Sequence, residues 1–146
     1  MFEKIVVATD GSEHSERAAK IGIEIAKLSG GTVTAVYVAD VGRMSYLPDG
    51  LLLVSIRELL VKEGEEAVGI VEKAAKEAGV PVKKAVLEGN PGEEIIDFAT
   101  KNGVSLVVMG SVGRTGLDKF LLGSVAEKVV RGSKVPVLTV PREAAC

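Results

Sequence analysis

Cysteine occurs once in this chain, as Cys146, and histidine once, as His14. A single cysteine forms no internal disulfide, and at the chain end nothing orders it as a nucleophile. One His and one Cys cannot build a zinc cluster. His14 stands in what reads as the opening turn of a helix, without an ordered partner that would give it a catalytic role. Charge of one sign is missing too: 18 Lys and Arg stand against 20 Asp and Glu, a net charge of -2. No global basic field is therefore available for nucleic acid or an acidic membrane. No apolar run approaches the ~18 residues that a membrane span needs. A strand-like run begins at Lys4, which leaves no room for a signal peptide. The expected setting is the cytoplasm, with neither nucleic acid nor membrane as partner.

Familiar phosphate motifs are absent as well. There is no G-x-x-x-x-G-K-[ST], hence no P-loop lysine and no standard site for phosphate-bound magnesium. Residues 110–116 do not read G-x-G-x-x-G, and they follow the fourth strand rather than the first, which excludes a Rossmann dinucleotide fingerprint. Ser12, Ser111 and Ser124 have no local base to activate them, since His14 lacks an ordered partner. These gaps favour binding over catalysis.

What is present is a regular alternation. With 146 residues, 47% of them apolar, the chain is long enough for one domain with a real core over 1–146. Strands are predicted at 4–9, 32–38, 82–87, 104–109 and 135–140. The first helix starts at about Ser12, has an apolar stripe at Ala18, Ile21, Gly22, Ile25 and Ala26, and stops at Gly30 and Gly31. A second helix spans about 51–78 with Ile56, Leu60, Ala67, Val71, Ala74 and Ala78 on one side; Gly64 and Gly69 weaken it and allow a kink. The third opens at Asn90-Pro91 and ends at Asn102-Gly103, and the fourth covers about 124–132. Residues 41–50 are the least regular. Helices between strands, without hairpin signals, imply parallel strands joined by right-handed crossovers. The expected fold is α/β, a three-layer doubly wound sheet of five parallel strands in order 3-2-1-4-5. Pro136 places the last strand at an edge.

In such a sheet ligands collect beyond the carboxyl ends of the strands, where strand order reverses. Three segments qualify: 9–12, 38–40 and the loop that begins at Gly110. The loop is the most informative. Gly110, Gly113 and Gly123 are spaced G-x2-G-x9-G, and Ser124 follows directly. Glycines between a strand end and a helix start can bring bare backbone N–H groups to a phosphate. Ser124 and Glu127 also have capping-box spacing, which needs no ligand. Asp10 suits a ribose hydroxyl or a metal, and equally a turn through Asp10-Gly11-Ser12. From 111 to 134 five basic residues face two acidic ones, an excess that suits an anion or simply a solvated helix face.

Three motifs together resemble the universal stress protein family in its ATP-binding branch, and the resemblance spans essentially the whole chain. They are the opening 5–12, the G-x-P-x-x-x-I run from Gly89 to Ile95, and the glycine signature ending at Ser124. The resemblance implies a homodimer of Rossmann-like subunits, joined through the strand at 135–140, with ATP (or AMP or ADP) at the switch point. By position, Ala8, Thr9 and Asp10 would line the ribose and adenine side, and Val38 would hold the adenine, partly by backbone. Met109 and Gly110 would form the floor. Gly113, Gly123, Ser124 and Val125 would cradle the phosphates, with Mg²⁺ or Mn²⁺ bridging phosphate oxygens. Arg114, which matches no strict motif position, is included as a phosphate contact. The implied role is a nucleotide-dependent regulatory or signalling switch. The alternatives are a slow ATPase or self-phosphorylating phosphotransferase, and a nucleotide-free dimeric interaction module.

Overall fold

The helix ends follow from local side-chain chemistry. In the computed structural model, which describes residues 1–44, 50–112 and 122–142, the order is β1 (Lys4–Ala8), α1 (Glu13–Ser29), β2 (Thr32–Ala39), α2 (Gly50–Glu77), β3 (Val82–Glu88), α3 (Pro91–Lys101), β4 (Leu106–Gly110), α4 (Ser124–Gly132) and β5 (Val137–Val140). A short 3-10 turn, Val41–Met44, follows β2. The Ser12 side chain caps α1 by accepting from Ser15 N, and Gly30 ends that helix at φ 69, a left-handed conformation suited to glycine. Asn90 caps α3 by accepting from Glu93 N, with Pro91 in the first turn.

The five strands form one sheet, parallel as the alternation predicts, in the expected order β3-β2-β1-β4-β5. Side chains alternate across it. Ile5, Val7, Val33, Ala35 and Tyr37 face α1 and α2, whereas Val6, Ala8, Val36, Val107 and Met109 face α3 and α4. β1 and β4 are covered on both faces, which is why they read as continuous apolar runs. β5 is an edge strand, but it starts after Pro136 rather than at 135. Proline has no N–H to donate, and its carbonyl serves the ladder by accepting from Val107 N at 3.0 Å. At the opposite edge β3 exposes Lys83 and Lys84, charges that discourage pairing with another strand. No described helix is long and apolar enough to cross a membrane.

The buried stripes differ in detail from their predicted positions. On α1 the buried residues are Ser15, Ala18, Ala19, Gly22, Ile23 and Ala26, while Ile21 and Ile25 are only partly buried. The small residues lie on the closest line of approach to the sheet, and the two isoleucines flank it. On α2 Val68 and Ala75 join Ala67 and Val71 in the core, with Leu60, Ala74 and Ala78 half-buried.

Gly64 and Gly69 do not have the same role, and α2 is one continuous helix through both. A Cβ at Gly64 would lie 2.5 Å from Cδ1 of the buried Tyr37 ring; a Cβ at Gly69 would meet nothing within 4 Å. Alanine gains about 1 kcal/mol of helix propensity at either site, but overpacking costs about 1–3 kcal/mol where the ring must move. Gly69→Ala is expected to stabilise by up to about 1 kcal/mol and Gly64→Ala to destabilise by about 1–2 kcal/mol. Urea denaturation of the two variants measures the opposite signs directly.

Candidate functional site

β1 and β4 are neighbours, yet the chain leaves them on opposite faces, towards α1 from β1 and towards α4 from β4. Their carboxyl ends part there, and a cleft of about 310 Å³ opens. Ala8, Thr9, Asp10, Val38, Met109, Gly110, Gly123, Ser124 and Val125 all line it. Residues more than 100 positions apart thus meet in one place. Gly113 and Arg114 lie outside the described residues, as do 45–49 and Cys146.

The floor is apolar. Ala8 and Met109 are buried, with Val36 and Ile95 beside them. Leu60 of α2 and Pro91 of α3 enter as walls from opposite faces of the sheet. Neither carries a site signal in sequence: Leu60 reads as core stripe and Pro91 as a helix opener. Ser111 and Val112 stand inside the glycine loop, where only the glycines attract notice, and both line the cleft.

At the end of β1 the hydroxyls form a directed chain. Ser15 Oγ donates to Ser12 O at 2.8 Å, which uses its single proton. In the 2.9 Å contact between Thr9 Oγ1 and Ser15 Oγ, Thr9 is therefore the donor. Thr9 Oγ1 in turn accepts from Gly11 N at 3.1 Å, and Thr9 N donates to Val36 O at 2.9 Å. Thr9 is thus occupied in holding the turn, and a ligand can meet only its remaining acceptor capacity. Asp10 Oδ1 accepts from Ser12 N at 2.9 Å. The turn role considered for Asp10 is real, and the residue lines the cleft as well.

The opening of α4 corrects the capping-box expectation. Gly123 is the N-cap, in extended conformation at φ -63 and ψ 158, and among the described residues no side chain caps the helix. Ser124 is already helical, so its hydroxyl cannot take the cap position. Glu127 instead pairs with Arg131 at 3.1 Å. Consequently the first-turn N–H groups have no intrahelical acceptor and, among the described residues, no side-chain cap, and this turn lies where Gly123, Ser124, Val125 and Ala126 line the cleft. Gly123 N donates to Ser111 O at 2.7 Å and Ser111 N to Val140 O at 2.9 Å, which fixes this helix end to the sheet.

Gly110 and the basic residues around α4 also have structural roles. Gly110 serves packing: a Cβ there would approach Val112 O at 3.2 Å and His14 O at 3.5 Å, both protein backbone. The basic excess around α4 is partly spent, since Lys128 pairs with Glu93 at 2.9 Å and Arg131 with Glu127. Those two cations follow the solvated-face reading. The positive potential that the described residues offer to the cleft comes from the end of the helix rather than from them.

The chain as a whole has close counterparts. The Universal stress protein family matches residues 1–141. The chain belongs to that family. Universal stress protein MJ0531 of Methanocaldococcus jannaschii is 46% identical over 97% of this chain and 84% of that protein. The solved structure of MJ0577, a universal stress protein from the same organism, has a TM-score of 0.85 at 32% identity and covers 99% of both chains. A universal stress protein from Archaeoglobus fulgidus, solved in complex with dAMP, has a TM-score of 0.71 at 26% identity, covering 95% of this chain and 98% of that one. The family's sheet order and helix placement are those described above.

Proposed function

We propose that the cleft binds an adenine nucleotide, ATP in the first instance, and that the bound nucleotide makes this single-domain protein a regulatory switch. The observation that carries the reading is the start of α4, which has no side-chain cap among the described residues and whose first turn lines a cleft of about 310 Å³ with an apolar floor. That volume is at the lower end for small-molecule sites, and the pairing of apolar walls with a few polar groups is typical of them. The related A. fulgidus protein holding dAMP supports the class of ligand. Phosphates would take the first turn of α4, extended by Gly113 and Arg114. The base would lie against Val38 and Leu60, and the ribose beside Asp10. Among the described residues no group of three His, Cys, Asp or Glu side chains could hold a metal ion. In keeping with the family resemblance, Mg²⁺ or Mn²⁺ would be carried by the phosphate oxygens.

The reading extends to a cytoplasmic homodimer joined through the 135–140 edge, where Leu138 is an exposed apolar residue. The test needs no variant. Protein purified without added nucleotide, then denatured, is expected to release ATP at up to one equivalent per chain on ion-exchange chromatography. ADP in its place would favour slow hydrolysis. No nucleotide released, together with no heat on titrating MgATP, would leave the interaction-module alternative.

A further inference from the structure

Helix α2 is too long for the sheet it covers. Its 28 residues span about 42 Å, whereas the seven residues of β3 span about 23 Å. The surplus projects at the carboxyl edge: Gly64 lies level with Tyr37, two residues before the end of β2, and fourteen helical residues still precede Gly64. Leu60 stands on this overhang and is the point at which α2 enters the cleft wall.

Among the described ion pairs, one ties the overhang to the sheet. Arg57 Nε donates to Glu88 Oε1 at 2.7 Å, and Arg57 Nη2 donates to Glu88 Oε2, a two-point pairing. Glu88 ends β3 and pairs in register with Ala39, and the next residue of β2's exit, Asp40, lines the cleft. Gly89 N continues the ladder to Ala39 O at 3.0 Å, so the acceptor side of the pair is rigidly mounted. The Arg57 hydrogen bond holds the Glu88 carboxyl below its ordinary value. Arg57 is one turn from Leu60 on the same helix.

We propose that the Arg57–Glu88 pair is a positioning device for the cleft: it clasps the α2 overhang to the rim and so keeps Leu60 in place as a wall for the nucleotide. Neither residue touches the ligand. The inference rests on the nucleotide-binding reading and adds what sets its affinity. Only chains with the wall in place bind well, so apparent affinity falls with the fraction held there.

Isothermal titration with MgATP tests it on the full chain and on the Arg57→Ala, Glu88→Gln, Leu60→Ala and Arg57→Ala/Leu60→Ala variants. Loss of the clasp is expected to raise Kd roughly three- to fivefold in either clasp variant, the size of a well-aligned surface pair. Their unfolding midpoints should stay within about 2 °C of the parent. Leu60→Ala should raise Kd as well, and adding Arg57→Ala to it should change nothing further, because the clasp acts through Leu60. Unchanged Kd in Arg57→Ala overturns the proposal, as do fully multiplicative effects in the double variant or a midpoint loss that accounts for the weaker binding. If the parent chain itself gives no heat with MgATP, the nucleotide reading falls and this inference with it. Binding by the parent that ignores Arg57 removes this inference alone.

Discussion

Ser124→Glu is expected to abolish ATP binding and leave the protein as stable as before, or slightly more so. Ser124 is the first helical residue of α4, it is exposed, and among the described residues no side chain caps the helix, so the substitution forfeits no capping bond. A carboxylate in the first turn of a helix stabilises it by about 0.3–1 kcal/mol. The same carboxylate would meet the phosphates placed at that turn. At about 4–5 Å and an effective dielectric near 20, each phosphate charge would be repelled by about 3–4 kcal/mol, enough to weaken binding more than a hundredfold. Stability and binding thus move in opposite directions, which simple misfolding cannot imitate. Thermal unfolding and MgATP titration on one preparation decide it. Affinity within about threefold of the parent would place the phosphates away from α4. Ser124→Ala is the control: a capping serine would cost about 1 kcal/mol of stability when removed, whereas the observed cap at Gly123 predicts almost none.

Much of this was legible because local chemistry decided it. The cap at Asn90, the start of α1 near Ser12 and the stop at Gly30 depend on a few adjacent residues, and each is found as read. The parallel sheet followed from helices between strands, and its central strands one and four from their apolar runs, whereas the order 3-2-1-4-5 was an expectation that the sheet bears out. The positions lining the cleft were legible for a different reason, since glycine spacing and the carboxyl edge pointed to the same place. What could not be read depended on distance. Leu60 reaches the cleft because α2 outruns the sheet, and nothing in an apolar helical stripe reports how far the helix projects. Ser124 has the correct spacing for a capping box, but one residue of phase in the chain's approach gave the cap to Gly123. The partner of Lys128, Glu93, is assigned only by packing, whereas Glu127 stands four residues before Arg131 on the same helix, a pairing that the spacing itself offers.

Gly22 shows the same limit with a larger consequence. In sequence it is one small residue in an apolar stripe, and an internal helix glycine is nominally a weakness of about 1 kcal/mol. In the structure α1 lies so close to the sheet that a Cβ at Gly22 would be 2.6 Å from Val7 Cγ2 and 3.5 Å from Val108 Cβ. Those two valines are partners across β1 and β4, both fully buried, so neither can yield into free space. Gly22→Leu should therefore destabilise despite its better helix propensity, by about 3 kcal/mol, lowering the unfolding midpoint by about 10 °C. Gly22→Ala should fall between leucine and the parent. A midpoint for Gly22→Leu equal to that of the parent would mean that α1 sits farther from the sheet than described. The damage should also reach the cleft. A helix lifted by a leucine carries Ser12 and Ser15 with it, and these hold Asp10 and Thr9 through bonds of 2.9 Å. Nucleotide affinity is expected to fall in Gly22→Leu even at 10 °C, where most chains remain folded. The close approach that glycine permits at the middle of α1 is what fixes the ligand-facing turn at its start.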